Sequence, residues 1–344
     1  MRDMTIVINM RDVVDRKKIR IGARFIKEGK LVAFPTETVY GLGADALNES
    51  AVKRIFEAKG RPPDNPLIVH IADFSQVYEL AREVPEKAKM LAEKFWPGPL
   101  TIVLPKEDKV PYATTGGLDT VAIRMPAHEI ALALIEESKR PIAAPSANIS
   151  GKPSPTLAEH VADDFYGKIE CIIDGGETKI GVESTVIDLT TEPPVLLRPG
   201  GLPLEEIEKV IGKIKIHPAV KGKPVKLAKA PGMKYRHYAP EAQVVVIEGE
   251  RKKVKEKIKE LIKEYKAQGM KVGVMATGDF YEANAYFNIG ESEEEIAKNL
   301  FKALRELDKS GVDIILAEGV EERGLGLAVM NRLKKAAGYK VVKV

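Results

Sequence analysis

The sequence predicts a two-domain α/β protein: an N-terminal mixed, twisted sheet with helices packed on it, then a smaller doubly wound parallel α/β domain. Three observations predict it. The chain has 344 residues, beyond the size at which a single hydrophobic core keeps growing. Over residues 1–215, short β-branched runs and amphipathic stretches alternate irregularly, and several runs follow one another with no helix between, which favours a mixed sheet. From residue 244 apolar runs and helical stretches alternate strictly, the pattern of a parallel sheet wound on both faces.

In order along the first part, the strand candidates are LVAF (31–34), LIVHI (67–71), LTIVL (100–104), VAIRM (121–125), CIID (171–174) and STVIDL (184–189). Between them VVDRKKIRIGARFIKEG, ESAVKRIFEAKG, FSQVYELAREV, PEKAKMLAEKF, HEIALALIEES and LAEHVADDFYG carry apolar residues at spacings nearer 3.6 than 2, which predicts helices. In the second part VVVIEG, a Lys/Glu helix (251–268), KVGVMA, YFNIG, a helix opened by Ser292, VDIILAEG, a last helix and YKVVKV complete the domain over 244–344. Ser292 and Glu295 have the spacing of a capping box. Residues 216–243 form the connector.

Composition excludes several classes. The formal net charge of +4, from 54 basic and 50 acidic residues, is too small to argue for a nucleic-acid or membrane surface. The single cysteine, Cys171, excludes an intramolecular disulfide and a cysteine metal cluster and suits a reducing cytosol. The stretch MRDMTIVINMRD lacks the apolar run of a signal peptide, and no run is long enough to cross a membrane, so the cytoplasm is expected. There is no phosphate-binding GxxxxGK[ST] loop and no HExxH. GLGLAV (324–329) lacks the third glycine of a dinucleotide fingerprint and follows a loop, which reads as the entry to a helix.

Three stretches carry chemistry. In LVAFPTETVYGLGADALN (31–48) an apolar strand ends at Pro35 and is followed by the hydroxyls of Thr36 and Thr38 and by Gly41 and Gly43. This permits close approach of backbone to a ligand; a turn whose threonines cap neighbouring backbone is the competing reading. In FEAKGRPPDNPLIVH (56–70) a helix stops at Gly60, leaving Lys59 and Arg61 beside a Pro-fixed loop that holds Asn65 and enters a strand ending at His70. Complementing the helix dipole would account for such cations at about 0.3–1 kcal/mol each, but fixed cations are also what phosphate or carboxylate recognition requires. PIAAPSANISGKPSPT (141–156) runs from a strand into a loop rich in short hydroxyls, with Ser146, Asn148 and Ser154. It makes an anion-binding concavity or a plain polar loop with an N-cap. Arg124 in VAIRMP and Arg198 in VLLRPG are expected at strand ends. The connector segment APGMKYRHYAP (230–240) packs Tyr235, Arg236, His237 and Tyr238 side by side, unlike a flexible or polyproline spacer.

Together FPTETVYGLGADA, KGRP continuing into NPLIVHI, WPGPLTIVL, VAIRMP, APSANISG, ESTVID and LLRPG closely resemble the threonylcarbamoyl-AMP synthases, with a YrdC-like first domain. YRHYAP and a C-terminal Rossmann-like domain ending in GLGLAVMNRLKKAAG resemble the long two-domain form, so the resemblance covers nearly the whole chain. It implies an enzyme that converts L-threonine, bicarbonate and ATP into threonylcarbamoyl-adenylate and pyrophosphate. A separate transferase complex then moves the group onto tRNA. It further implies L-threonine around Thr36, Thr38, His70, Arg124 and Ser184, and the nucleotide at Arg61, Asn65, Thr120, Ala144, Ser146, Asn148, Ser154 and Arg198. Lys59 and Arg61 would neutralise developing charge, and Mg2+ would accompany the ATP on protein ligands the sequence does not reveal. Glu37 stands where many relatives carry Asp. Whether the threonine amine first forms a carbamate that attacks the α-phosphorus, or bicarbonate is activated first, stays open. Residues 230–240 are expected to be a lid, with a linker packed on both domains as the competing reading. The rival function is a module binding double-stranded RNA or tRNA through phosphates.

Overall fold

Most of the strands are Val, Ile and Leu runs bounded by Pro and Gly, because branched side chains fit a pleated, buried surface, and among the described residues eleven strands join in one sheet. The structure is a computed structural model and describes residues 4–235, 237–278 and 280–344. It divides into two units, Met1–Ser150 with Ser154–Lys234, and Gly151–Pro153 with Tyr235–Val344. The division falls inside the connector.

In the first unit the strands are β1 (Ile6–Asn9), β2 (Val32–Phe34), β3 (Gly41–Asp45), β4 (Ile68–His70), β5 (Leu100–Pro105), β6 (Thr120–Arg124), β7 (Ile142–Ala143), β8 (Cys171–Asp174), β9 (Thr185–Asp188), β10 (Val195–Arg198) and β11 (Lys215–Ile216). They lie in the order β1-β8-β2-β3-β7-β4-β6-β5-β9-β10-β11. Pairings are mixed: β4 with β6 and β5 with β9 are parallel, while β2 with β3, β4 with β7 and β5 with β6 are antiparallel.

The stretch Gly41–Asp45, not among the strand candidates, is a strand. Its glycines are there for packing: a Cβ on Gly43 would lie 2.7 Å from Phe34 Cε1 and 2.8 Å from Ile142 Cγ2. Absence of a side chain lets β3 fit between its neighbours, a tertiary requirement that overrides glycine's low strand propensity.

Two apolar clusters meet on one side of this sheet. The helices Arg16–Lys27, capped by Asp15, and Glu129–Ser138 pack Ile19, Ile26, Ile130 and Leu134 onto Val32, Phe34 and Ile142. Farther along, Ile68, Val103, Ala122, Val186 and Leu197 are covered by Ala219, Ala228, Ala230 and Met233 of the connector. His70 pairs with Ile142 of the first cluster and with Arg124. It lies two residues after Ile68, and Arg124 two after Ala122, so the period-2 alternation of a strand puts both on the clusters' face. Where the clusters meet, polar side chains take over.

The second unit is a five-stranded parallel sheet, β12 (Gln243–Glu248), β13 (Val272–Ala276), β14 (Ala285–Asn288), β15 (Ile314–Glu318) and β16 (Val341–Lys343), ordered β14-β13-β15-β12-β16. Helix Arg251–Ala267 buries Val254, Ile258 and Leu261 on Val245, Ile247 and Leu316. Ser292 and Glu295 form the expected capping box at the start of helix Glu293–Lys309.

Candidate functional site

The chain leaves β2 at Pro35 and turns through Thr36–Tyr40 into β3. Thr36 Oγ1 holds the turn: it accepts from the N–H of Thr38 (3.1 Å) and Val39 (3.3 Å), lies 2.7 Å from Val39 O, and stands 2.8 Å from Thr38 Oγ1. The threonines therefore cap local backbone, as the turn reading expects, and Thr38 also faces a buried cation. Arg124, the last residue of β6, donates from Nη1 to Thr38 Oγ1 (3.1 Å) and from Nε to Gly98 O (3.2 Å). Its Nη2 lies 2.6 Å from Glu37 Oε1, with both side chains 4% exposed. That contact is an ion pair whose angle misses a hydrogen bond, and neither Nη2 nor either Glu37 oxygen has a hydrogen-bond partner.

His70 stands beside Arg124 in register. Its Nδ1 lies 3.2 Å from Ile68 O and 3.3 Å from Ile142 O, which places the proton on Nδ1 because both partners accept. Burial, and then the charge of Arg124, push its pKa down to about 3, so His70 is neutral at pH 7.

Next along the same face, Thr101 Oγ1 and Ser184 Oγ are 2.7 Å apart, and Arg198, at the end of β10, donates from Nη2 to Ser184 O (2.9 Å) and Oγ (3.2 Å) and from Nε to Ser184 O (3.1 Å). Gly200 permits this crossing: a Cβ there would lie 2.3 Å from the backbone of Glu183, Ser184 and Thr185. The loop before Ser184 is tied to the threonine turn by Ile180 N–H to Glu37 O (2.8 Å) and Gly181 N–H to Thr38 O (3.0 Å).

Lys59 closes helix Glu49–Lys59 and Gly60 stops it in the left-handed conformation at φ 60°, as the sequence predicts. Rather than reaching solvent, Lys59 is 1% exposed, with Nζ donating to Ser146 O and Asn148 O, each at 2.5 Å. Its carbonyl accepts from Ser150 N–H at 2.9 Å. Arg61 Nη2 donates to Pro66 O (3.2 Å) and Asn65 O (3.4 Å), and the buried Asn65 Oδ1 has no donor. Ser154 Oγ is 2.5 Å from Glu183 Oε1. Thr120 opens β6, half-buried and paired with Pro105. Ala144 is buried beside Gly41, its N–H bonded to Ile68 O (3.0 Å).

The structure therefore brings together Thr36, Thr38, His70 and Arg124 as one group, Ser184 and Arg198 as a second, and Lys59, Ser146 and Asn148 as a third. Lys234 of the connector pairs with Asp64 at 2.6 Å, in the loop that carries Arg61 and Asn65. Of the expected lid residues, Tyr235 and His237 are half-buried, and Tyr238 is buried with its ring 5.3 Å from Phe301 and under the Arg332 guanidinium at 5.7 Å. Arg236 lies outside the described residues. Sequence reasoning missed Thr101 and assigned no site role to Glu37 or Glu183. The available signal for Thr101 was a lone hydroxyl two residues before Val103 in an apolar strand.

In the second unit GLGLAV opens helix Gly324–Ala336, as expected of a helix entry. A crevice of about 870 Å³ at the ends of its strands is lined by Glu248, Glu291, Glu318, Glu321 and Glu322 against Arg251 and Lys343, so its charge does not suit phosphate. Among the described residues no group of three or more His, Cys, Asp or Glu is placed to hold a metal, and no helix is long and apolar enough to cross a membrane.

Comparison with known proteins places the whole chain. Residues 24–200 match the Sua5/YciO/YrdC family model described as "Telomere recombination", and residues 202–338 match the threonylcarbamoyl-AMP synthase C-terminal domain. The threonylcarbamoyl-AMP synthase of Pyrococcus abyssi (strain GE5 / Orsay) is 73% identical over 99% of this chain and 100% of its own length. That of Bacillus subtilis (strain 168) is 53% identical over 95% of this chain and 94% of its own. The crystal structure of P. abyssi Sua5 complexed with L-threonine superposes with a TM-score of 0.98 at 73% identity, covering 99% of this chain and 100% of that one. With its buried hydroxyl and guanidinium groups in the first unit and both domain models matched in order, the chain belongs to the threonylcarbamoyl-AMP synthase family of enzymes.

Proposed function

We propose that the protein joins L-threonine, bicarbonate and ATP into threonylcarbamoyl-adenylate with release of pyrophosphate, and that the site lies where the two apolar clusters of the first unit meet. The observation that carries this reading is the buried linkage of Thr38, Arg124 and Glu37, with neutral His70 alongside, on an otherwise apolar face. The L-threonine complex of the 73% identical P. abyssi protein supports it.

The substrates are all anionic at some group, so convergence requires fixed opposite charge in a site of low dielectric. Arg124 receives the threonine carboxylate, with Thr36, Thr38, His70 and Ser184 around the rest of the molecule. Arg61, Asn65, Thr120, Ala144, Ser146, Asn148, Ser154 and Arg198 hold the nucleotide. Lys59 acts partly through the loop it clasps, setting Ser146 and Asn148, and with Arg61 offsets charge on the phosphates. A neutral His70 accommodates an amine beside Arg124 without adding a third positive charge.

Magnesium fits this donor set as part of the nucleotide: the site offers hydroxyls and cations rather than a carboxylate cage, so phosphate oxygens and water would supply its ligands. Two orders of chemistry suit the same residues, carbamate formation before attack on the α-phosphorus or activation of bicarbonate first. Catalysis in either order is positioning and electrostatics. Residues 230–240 of the connector serve as a lid over this site, supported by the burial of Ala230 and Met233 on the adjoining face and by the Lys234–Asp64 pair; keeping water out protects a labile mixed anhydride. The product passes, in the cytoplasm, to a transferase complex acting on tRNA.

The RNA-binding alternative is weakened by burial. Lys59, Arg61, Arg124 and Arg198 are each at most 7% exposed, and cations turned inward cannot neutralise the phosphates of a duplex. The deciding experiment is pyrophosphate release from ATP with each of L-threonine and bicarbonate omitted in turn. Release only when all three are present is expected; release indifferent to threonine, or none at all, overturns the reading.

A further inference from the structure

We infer that Glu37 recognises the amino group of the amino-acid substrate, so that Glu37 and Arg124 together select a zwitterion; this rests on the reading that the first unit's site takes L-threonine. The argument begins with what the pair leaves unused. Arg124 Nη2 and Glu37 Oε1 are 2.6 Å apart, yet Nη2 and both carboxylate oxygens have no hydrogen-bond partner. The neighbouring groups are already engaged: the Thr36 and Thr38 hydroxyls with each other, Gly98 O with Arg124, and His70 Nδ1 with two carbonyls. One donor nitrogen and a carboxylate with both of its oxygens therefore remain, side by side and buried, with opposite charges.

An α-amino acid carries the complementary arrangement, an ammonium and a carboxylate on the same carbon. Laid head to tail on the pair, it closes a ring of four alternating charges: Arg124, substrate carboxylate, substrate ammonium, Glu37. Each charge then has two opposite neighbours, which is the condition for keeping ions in a site of low dielectric. An acid without the amine would set a second anion against Glu37 with nothing between them. The backbone that carries Glu37 is held in place, its carbonyl tied to Ile180 N–H (2.8 Å) and its neighbours Thr36 and Thr38 bonded within the turn, and its side chain is buried. The carboxylate thus serves specificity, and the ion pair with Arg124 is its resting state.

The test compares equilibrium binding, by calorimetry on the full chain, of L-threonine and of the analogue 2,3-dihydroxybutyrate, in which a hydroxyl replaces the amine. Wild type is expected to prefer threonine by about 100-fold or more, the discrimination seen when a site's buried polar group is left unpaired. Glu37→Gln is expected to weaken threonine by about 10- to 100-fold, as for loss of a charge-assisted hydrogen bond, while the analogue binds as well as before or better. Glu37→Asp, which keeps the charge, retains the preference. ATP binding and the melting temperature serve as controls for folding. Equal binding of threonine and analogue to wild type overturns the inference, and this arm needs no variant to fold. An unchanged preference in Glu37→Gln also overturns it. If wild type shows threonine-dependent pyrophosphate release while either of those results is found, only the role of Glu37 fails; if wild type neither binds threonine nor releases pyrophosphate, the underlying reading fails with it.

Discussion

Lys59 Nζ and the carbonyl oxygen of Ser146 are 2.5 Å apart although 87 residues separate them in the chain, and Asn148 O stands at the same distance from the ammonium. A helix end and a polar loop are thereby fixed to each other. Lys59→Met removes a buried donor shared by two carbonyls, Ser146 O keeping its bond from Asn148 N–H (3.0 Å), at a cost of about 1–3 kcal/mol. The expected results are a lower urea midpoint and a fall in pyrophosphate release of about 100-fold, the size seen when one preorganised donor is lost. Activity and stability both at wild-type levels would refute the clasp.

Thr101 supports Ser184 through a single hydroxyl contact of 2.7 Å. Thr101→Val preserves shape and deletes the partner, so a stability change of only about 1 kcal/mol is expected. If Ser184 contacts threonine, the KM for threonine rises several-fold while that for ATP stays within error. Steady-state kinetics with each substrate varied separately decides it.

Glu183 accepts from the fully buried Ser154 hydroxyl at 2.5 Å. Replacing it by Gln keeps an acceptor and should be mild. Replacing it by Leu leaves Ser154 buried and unpaired, with an expected loss of about 1–3 kcal/mol in denaturant unfolding. Equal effects of Gln and Leu would show that the contact is unimportant.

His70 makes stability depend on pH in a predictable direction. Its pKa is about 3 in the folded protein against an ordinary value of 6.5. Between those values the unfolded chain binds a proton that the folded chain does not, so folding is progressively disfavoured as pH falls from about 6.5 toward 3, by up to about 1.4 kcal/mol per unit. The carboxylates titrate in the same range, so the comparison is with His70→Asn. The wild type should lose stability faster than the variant on acidification, and parallel curves would contradict the buried, neutral imidazole.

Lys234 and Asp64 form a partly exposed pair, 31% and 47% exposed. Such pairs contribute about 0–1 kcal/mol, so Lys234→Ala should leave the melting temperature nearly unchanged. If the connector is a lid, turnover should nevertheless fall by about 10-fold, the scale of gating effects on positioning. Unchanged turnover would leave the connector as packing alone.

Much of this site was legible in the chain itself. Arg124, Arg198 and His70 were expected at strand ends and each ends a strand, because a polar residue after a continuous apolar run marks where the buried strand stops. Gly60 was expected to stop its helix, and does so at positive φ. The glycines of β3 misled, because a strand that needs bare backbone to fit under Phe34 and Ile142 looks locally like a loop. Thr101 went unnoticed because its importance comes from Ser184, 83 residues away.

The sequence by itself determined the local events: helix starts and stops, the strand ends at His70 and Arg124, the capping box at Ser292, and the order of motifs that identifies the family. These depend on neighbours within a turn or two, where propensity, capping and steric rules act. Only the tertiary structure decided that Lys59 turns inward to two carbonyls, that Glu37 rather than solvent faces Arg124, and that the connector covers the apolar face beside them. Those outcomes depend on how the strands are ordered in the sheet, and burial then forces each polar group to satisfy itself with whatever partner the fold brings within reach.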